Sequence, residues 1–194
     1  TLDEETTDRV INLSHKNSSG YACGNKILKR YSLGHELATD VAIIKCADFD
    51  ISNADAAWTI LYSLLEGLSR CMNIDRNELS GCLQWYRDDA HPSGNFGFVL
   101  FDNTPGGAGY VRQLTEDSVL LRMLQAGYRV VSNCVCGGEA ADTACYSCLC
   151  NYYNQRQHSV LKRKYALDFY EQFIPNNGEQ WSCQKLDAIV ASST

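Results

Sequence analysis

Four cysteines, Cys134, Cys136, Cys145 and Cys148, fall within the fifteen residues CVCGGEAADTACYSC. The pattern is C-x-C, an eight-residue loop, then C-x-x-C. Two close pairs across a short loop can set four thiolates around one tetrahedral zinc ion. The loop GGEAADTA is small and polar. It has nothing from which to build a core, so the cysteines must hold it. The competing reading is a pair of disulfides or four packed thiols, although C-x-C is too tight for an ordinary disulfide within itself. Cys150 competes with Cys148 as a ligand, but C-x-x-C is the commoner knuckle spacing. Four thiolates leave no open position for water, so this zinc would be structural rather than catalytic.

Three further motifs carry potential chemistry. PGGAG, Pro105–Gly109, follows a strand pattern, and Thr104-Pro105 predicts the start of a helix there. Amides at a helix start bind anions, which makes Gly106 and Gly107 candidates for a nucleic-acid phosphate contact. The alternative is that the glycines allow close packing of helix on sheet. The run continues Ala-Gly-Tyr instead of Gly-Lys-Ser/Thr, which excludes nucleoside triphosphate binding. The second motif is a basic stretch, Arg156, His158, Lys162, Arg163 and Lys164, mixed with Tyr152 and Tyr153. Basic and aromatic side chains together suit phosphate contact and base stacking, so Arg156, Lys162, Arg163 and Lys164 are candidate nucleic-acid ligands. A solvated helix face beside the zinc site is the plainer reading. The third is GHELATD, which groups His35, Glu36 and Asp40. It lacks the second His of a zincin, and a turn with capping and ion-pair roles explains it as well as acid–base chemistry does.

These residues need a scaffold. Residues 1–25 are polar and read as a lead-in segment or linker, with a single α/β domain over 26–194. KILKRYSLGHELATDVAIIKC alternates and suggests two strands joined near Gly34–Thr39. Asp50–Asn53 supplies a cap for a helix over ADAAWTILYSLLEGLSRCM, with Ala57, Leu61, Leu64, Leu65, Leu68 and Met72 on its apolar face. ELSGCLQWY and FGFVLF predict a hairpin around the turn HPSGNFG. Tyr110, Val111, Leu114, Leu121 and Leu124 mark the next helix, and the cysteine knuckle spans 134–150. A C-terminal helix over 159–173 carries Leu161, Tyr165, Phe169 and Phe173 on one stripe and stops before Pro175. KLDAIVA reads as a last short helix. The expected fold is α/β (α+β): a mixed sheet with packed helices and a C-terminal four-cysteine zinc knuckle.

Bulk properties narrow the class. The chain has 194 residues, 45% of them hydrophobic, with net charge −6. It is not a generally basic nucleic-acid binder, so any such contact uses a local patch. Ten cysteines raise the possibility of a secreted disulfide scaffold. The length, the acidic start TLDEETTDRV and the lack of a membrane-length apolar run argue instead for the cytosol, where thiols stay reduced. The first residue is Thr1 and the first methionine is Met72, which suggests an excised piece of a longer protein.

FDNTPGGAGYVRQL, then C-x-C, then CYSCLCNYYNQRQHSVLKRKYAL, together with YSLGHELATD, resembles the MrfA-type zinc-binding domain. This domain occurs at or near the C-terminus of DEAD/DEAH-box helicases and of associated phage-defence proteins. The likeness runs from about Tyr31 to Phe173. It implies zinc on Cys134, Cys136, Cys145 and Cys148, and work in DNA repair or defence beside an ATP-driven motor. No Gly-Lys-Thr/Ser loop and no DEAD-like box occurs here, so the resemblance places the motor elsewhere in the parent chain or in a partner. The expected partners are DNA and helicase motor domains in cis or in trans. Two other classes remain: a protein–protein interaction module, and a degenerate hydrolase using His35, Asp40 or Asp102.

Overall fold

The structure, a computed structural model, describes residues 19–21, 36–174 and 181–191. The chain divides into two units, Thr1–Glu36 and Leu37–Thr194. The first part of the strand pair expected around Gly34–Thr39, and His35, lie outside the described residues.

In the second unit, strand β1 (Val41–Cys46) leads to helix α1 (Ala54–Met72). Asn53 caps α1 as expected, its side chain accepting from the amides of Asp55 at 2.9 Å and Ala56 at 3.4 Å. Asn73 ends the helix in the left-handed conformation, with φ 55°. Ala57, Leu61, Leu64, Leu65 and Leu68 are fully buried, as their spacing predicts. Each leucine contributes roughly 1.5–3 kcal/mol relative to exposure.

Strands β2 (Leu79–Tyr86) and β3 (Asn95–Asp102) form the predicted hairpin. The sheet order is β2-β3-β1-β4, where β4 is Leu186–Ala191. Every pairing is antiparallel, so the sheet of this α+β fold is not mixed. The segment expected as a last helix is β4. Its burial alternates from Leu186, and it pairs along β1 from Val41↔Ala191 to Cys46↔Leu186. Six residues are too short for a self-standing helix, and the β-branched Ile189 and Val190 suit a pleated edge.

Ala42, Ile44, Phe98 and Leu100 point to one face and join the core with residues of α1, of α2 (Asp117–Asn133) and of α3 (Arg163–Glu171). Gly67 and Gly127 let α1 and α2 touch. A Cβ on Gly67 would stand 2.9 Å from the Gly127 nitrogen, and one on Gly127 would overlap the Tyr170 hydroxyl. That hydroxyl lies 3.0 Å from Ser63 Oγ, both groups buried.

The helix predicted at Thr104-Pro105 does not start there. Gly106, Gly107 and Gly109 all have positive φ, 85°, 80° and 80°, which no α-helix contains. The segment is a loop, followed by a 3₁₀ turn at Val111–Thr115 and then α2. The C-terminal helix is shorter than 159–173: turns occupy Ser159 and Val160 before α3 begins at Arg163. Among the described residues, no helix is long and apolar enough to cross a membrane.

Candidate metal centre and the surface beside it

The knuckle is built between the C-terminus of α2 and the N-terminus of α3. Helix α2 ends at Asn133, which delivers Cys134 and Cys136 at once. Gly137 and Gly138 then turn the chain with φ 74° and 56°. A Cβ at Gly137 would come within 2.7 Å of the Asp142 nitrogen, so the loop closes on itself there. The second pair sits on a tight turn in which the amides of Cys148, Leu149 and Cys150 all reach the Cys145 carbonyl, at 3.0, 3.1 and 3.0 Å.

This brings the four sulfurs together, all within 4.8 Å of one another. The closest separations are Cys134–Cys136 3.4 Å, Cys134–Cys145 3.6 Å, Cys136–Cys148 3.7 Å and Cys145–Cys148 3.9 Å. A regular tetrahedron with Zn–S bonds of about 2.3 Å has edges of about 3.8 Å. A disulfide would need about 2.05 Å. The donor set and its spacing therefore suit zinc, and the disulfide alternative fails. Cys150 stands outside the group, buried in the core.

The environment favours thiolate at one position. Burial pushes the Cys145 thiol up, but the Ser147 amide and the other three thiols hydrogen-bond its sulfur and bring it down to about 7. Burial raises Cys136 and Cys148 instead. A divalent ion would offset the repulsion that deprotonating all four implies.

Arg163 was expected on the surface as a nucleic-acid ligand, and it is buried, 6% exposed. Its Nε and Nη2 donate to the Cys136 carbonyl at 3.2 and 3.1 Å. Its Nη1 donates to Val131 at 3.0 Å and its Nη2 also to Gly138 at 3.2 Å. The guanidinium thus caps the carbonyl end of α2 and stitches it to the metal loop. The start of α3 reinforces this: the Arg163 amide reaches Thr143 at 3.1 Å and the Lys164 amide reaches Ala141 at 2.8 Å.

The other candidate cations lie outside. Arg156 and Lys164 are exposed, and Lys162 is half-buried with its Nζ 5.8 Å above the Tyr165 ring. Arg156 lies within, and Lys162 and Lys164 follow, a 3₁₀ segment, Tyr152–Gln157, pinned by a capping box between Asn151 and the buried Asn154. His158 Nε2 fastens it further, 2.8 Å from Asn154 Oδ1. Tyr146, Tyr152 and Tyr153 project from this region, 70%, 76% and 72% exposed.

The glycine loop is organised by Asp102, which is fully buried. Its carboxylate accepts from the amides of Ala108 at 2.8 Å, Tyr110 at 3.0 Å and Val111 at 3.1 Å. The amides proposed for phosphate contact point inward: Gly106 donates to Ala38 at 2.8 Å and Gly107 to Thr104 at 2.9 Å. A Cβ on Gly107 would overlap the Asp40 carboxylate. Asp40 is also buried, with Arg112 Nη1 4.0 Å from its Oδ2. Of the acids in the hydrolase reading, Asp102 is thus spent on holding a loop.

The sequence overlooked His91, which is buried at the hairpin turn. Its Nδ1 lies 3.1 Å from Asp88 and its Nε2 3.6 Å from Asp50, tying the turn to the segment after β1.

Residues 60–149 match the family described as the MrfA Zn-binding domain. The Druantia protein DruE of Escherichia coli (strain UMEA 4076-1) is 29% identical over 150 residues, covering 70% of this chain and 8% of that protein. A crystal structure of the helicase MrfA bound to DNA has a similar fold, with TM-score 0.50 and 21% identity, over 80% of this chain and 19% of that one. The chain thus spans only a small part of either relative's length. The matched segment ends on the four-cysteine cluster. Over residues 60–149, this chain is therefore similar to the MrfA-type zinc-binding domain.

Proposed function

We propose that the chain is a zinc-stabilised accessory domain of an ATP-dependent DNA helicase or phage-defence complex in the cytosol, and that it contacts DNA beside its metal knuckle. The observation that carries this reading is where the exposed aromatics fall. Of seven large hydrophobic side chains exposed among the described residues, Val135, Tyr146, Tyr152 and Tyr153 all belong to the knuckle or the segment after it. Arg156, Lys162 and Lys164 share that surface. Rings for stacking and cations for phosphates are what a strand-binding surface needs. The metal's part is structural: four thiolates on one Zn²⁺ would hold this surface in shape and leave no site for water.

Labelled single- and double-stranded DNA, titrated against the chain at several salt concentrations, tests this. Affinity should fall steeply with salt, and Arg156→Ala/Lys164→Ala should lower the slope by about 2. Salt-insensitive binding, or none by a zinc-loaded chain, would show this role to be wrong.

A second reading, docking on motor domains, has its own support. Val41, Ile43, Val99 and Phe101 occupy the sheet face opposite the helices, remain half-exposed and lie outside the core cluster; Ile189 beside Ile43 is 56% exposed. A contact with the parent's motor domains that survives high salt and is lost in Ile189→Glu would favour it.

A further inference from the structure

A cavity of about 230 Å³ opens between α1, the start of β2 and the segment that follows the knuckle. Its walls include Tyr62, Arg76, Asn77, Asn103, Asn151 and Tyr153, and no carboxylate lines it. In a chain of net charge −6 that is a selective arrangement. Pockets for drug-sized ligands measure about 300–1,000 Å³, so this smaller space suits one planar ring and not a whole nucleotide.

The wall chemistry is that of a base-reading site. Three carboxamides, those of Asn77, Asn103 and Asn151, line it, and part of their hydrogen-bonding capacity is unspent. Asn103 gives its Nδ2 to the Asn77 carbonyl at 2.6 Å, which leaves its Oδ1 as an acceptor. Asn151 Oδ1 holds the amides of Tyr153 and Asn154 at 2.9 and 3.1 Å, which leaves its Nδ2 as a donor. The Asn77 side chain makes no hydrogen bond with the described residues. Carboxamides present a donor and an acceptor side by side, the pattern that base edges complement. Arg76 is anchored by a 2.7 Å bond to the Leu79 carbonyl and lies 4.0 Å from Glu66, so its position is fixed.

The aromatic walls are also placed. Tyr62 stacks on Trp58 with ring centres 5.9 Å apart, and its hydroxyl reaches Gln157 at 3.4 Å. Tyr153 is 72% exposed, so it stands at the mouth with its ring open to a second partner. Arg156 follows three residues later in the same 3₁₀ segment.

We infer that this cavity takes a single unstacked nucleobase from a DNA strand, with Tyr153 stacking at its mouth and the asparagine amides on the base edge. The inference rests on the DNA-contact reading above and adds to it a site for the base.

The test compares three ligands on the zinc-loaded full chain: a twelve-residue thymidine oligonucleotide, the same backbone without bases, and thymidine monophosphate. The base-bearing strand should bind about tenfold more tightly than the abasic one, the scale of one stacked base. Asn77→Leu should bring the base-bearing strand down to the abasic level and leave abasic binding unchanged. Tyr153→Ala, at an exposed position, repeats the test if Asn77→Leu proves unstable by thermal melting. Equal binding of both strands overturns the cavity while leaving the DNA contact standing. Binding of neither strand overturns both. Monophosphate binding as tight as the oligonucleotide's overturns the strand assignment in favour of a free nucleotide.

Discussion

Two eight-residue loops of this molecule, 137–144 and 103–110, are each gathered around one electronegative centre. In the first, four sulfurs converge, and as thiolates they would need a cation to offset their repulsion. In the second, the Asp102 carboxylate collects the amides of Ala108, Tyr110 and Val111. The chain supplies both halves of that clamp. With zinc as its centre, the first loop would be conditional on metal and the second would not. Both look alike in sequence, glycine-rich and short. What separates them is whether the partner charge is encoded in the chain.

Metal removal should split the two most sharply. Structural zinc contributes on the order of 10 kcal/mol in small metal-held folds. Metal analysis should find about one zinc per chain. Chelation should then expose the Arg163 and Lys164 amides to hydrogen exchange while those of Ala108, Tyr110 and Val111 stay protected. Equal loss in both loops would erase the distinction. Asp102→Ala is the converse experiment. It strands three inward amides and should cost roughly 3–6 kcal/mol in urea unfolding, with zinc content unchanged.

Arg163 joins the metal loop to the helices. Arg163→Lys keeps the charge and loses the fork, so it should weaken zinc affinity about 10–100-fold in competition with a chromophoric chelator. An unchanged affinity would mean the loop needs no support beyond its sulfurs. Smaller effects separate strain from contact in the glycine loop. Gly106→Ala meets open space, so it should cost only the left-handed penalty of about 1–2 kcal/mol. Gly107→Ala adds a collision with Asp40 and should cost more. Smallest of all, Arg156→Ala and Lys164→Ala should each stay within about 0.5 kcal/mol in stability.

What the sequence revealed follows the same division between local and distant partners. The cysteine cluster was legible because metal-ligand spacing is written in fifteen consecutive residues. Helix α1 was legible because its cap and apolar stripe are both within its own span. The glycine loop was misread because Thr-Pro is a sound helix-start signal. The carboxylate that overrides it sits before that signal, on the end of a strand. Arg163 was misread inside a run of cations because its three carbonyl partners lie 25 to 32 residues earlier. Strand β4 was misread because its ladder is with β1, at the far end of the unit.

That last pairing bears on how the unit would respond to pulling. Val41 opens β1, Ala191 closes β4, and the two face each other across the ladder. A chain running in and out of this unit therefore does so at one corner. A load drawn between the two ends would peel the strands apart one rung at a time, starting at that corner, instead of shearing all rungs at once. If a parent protein joined it to a translocating motor, the unit would tolerate being carried and turned as a block, and would yield early if its two ends were drawn in opposite directions.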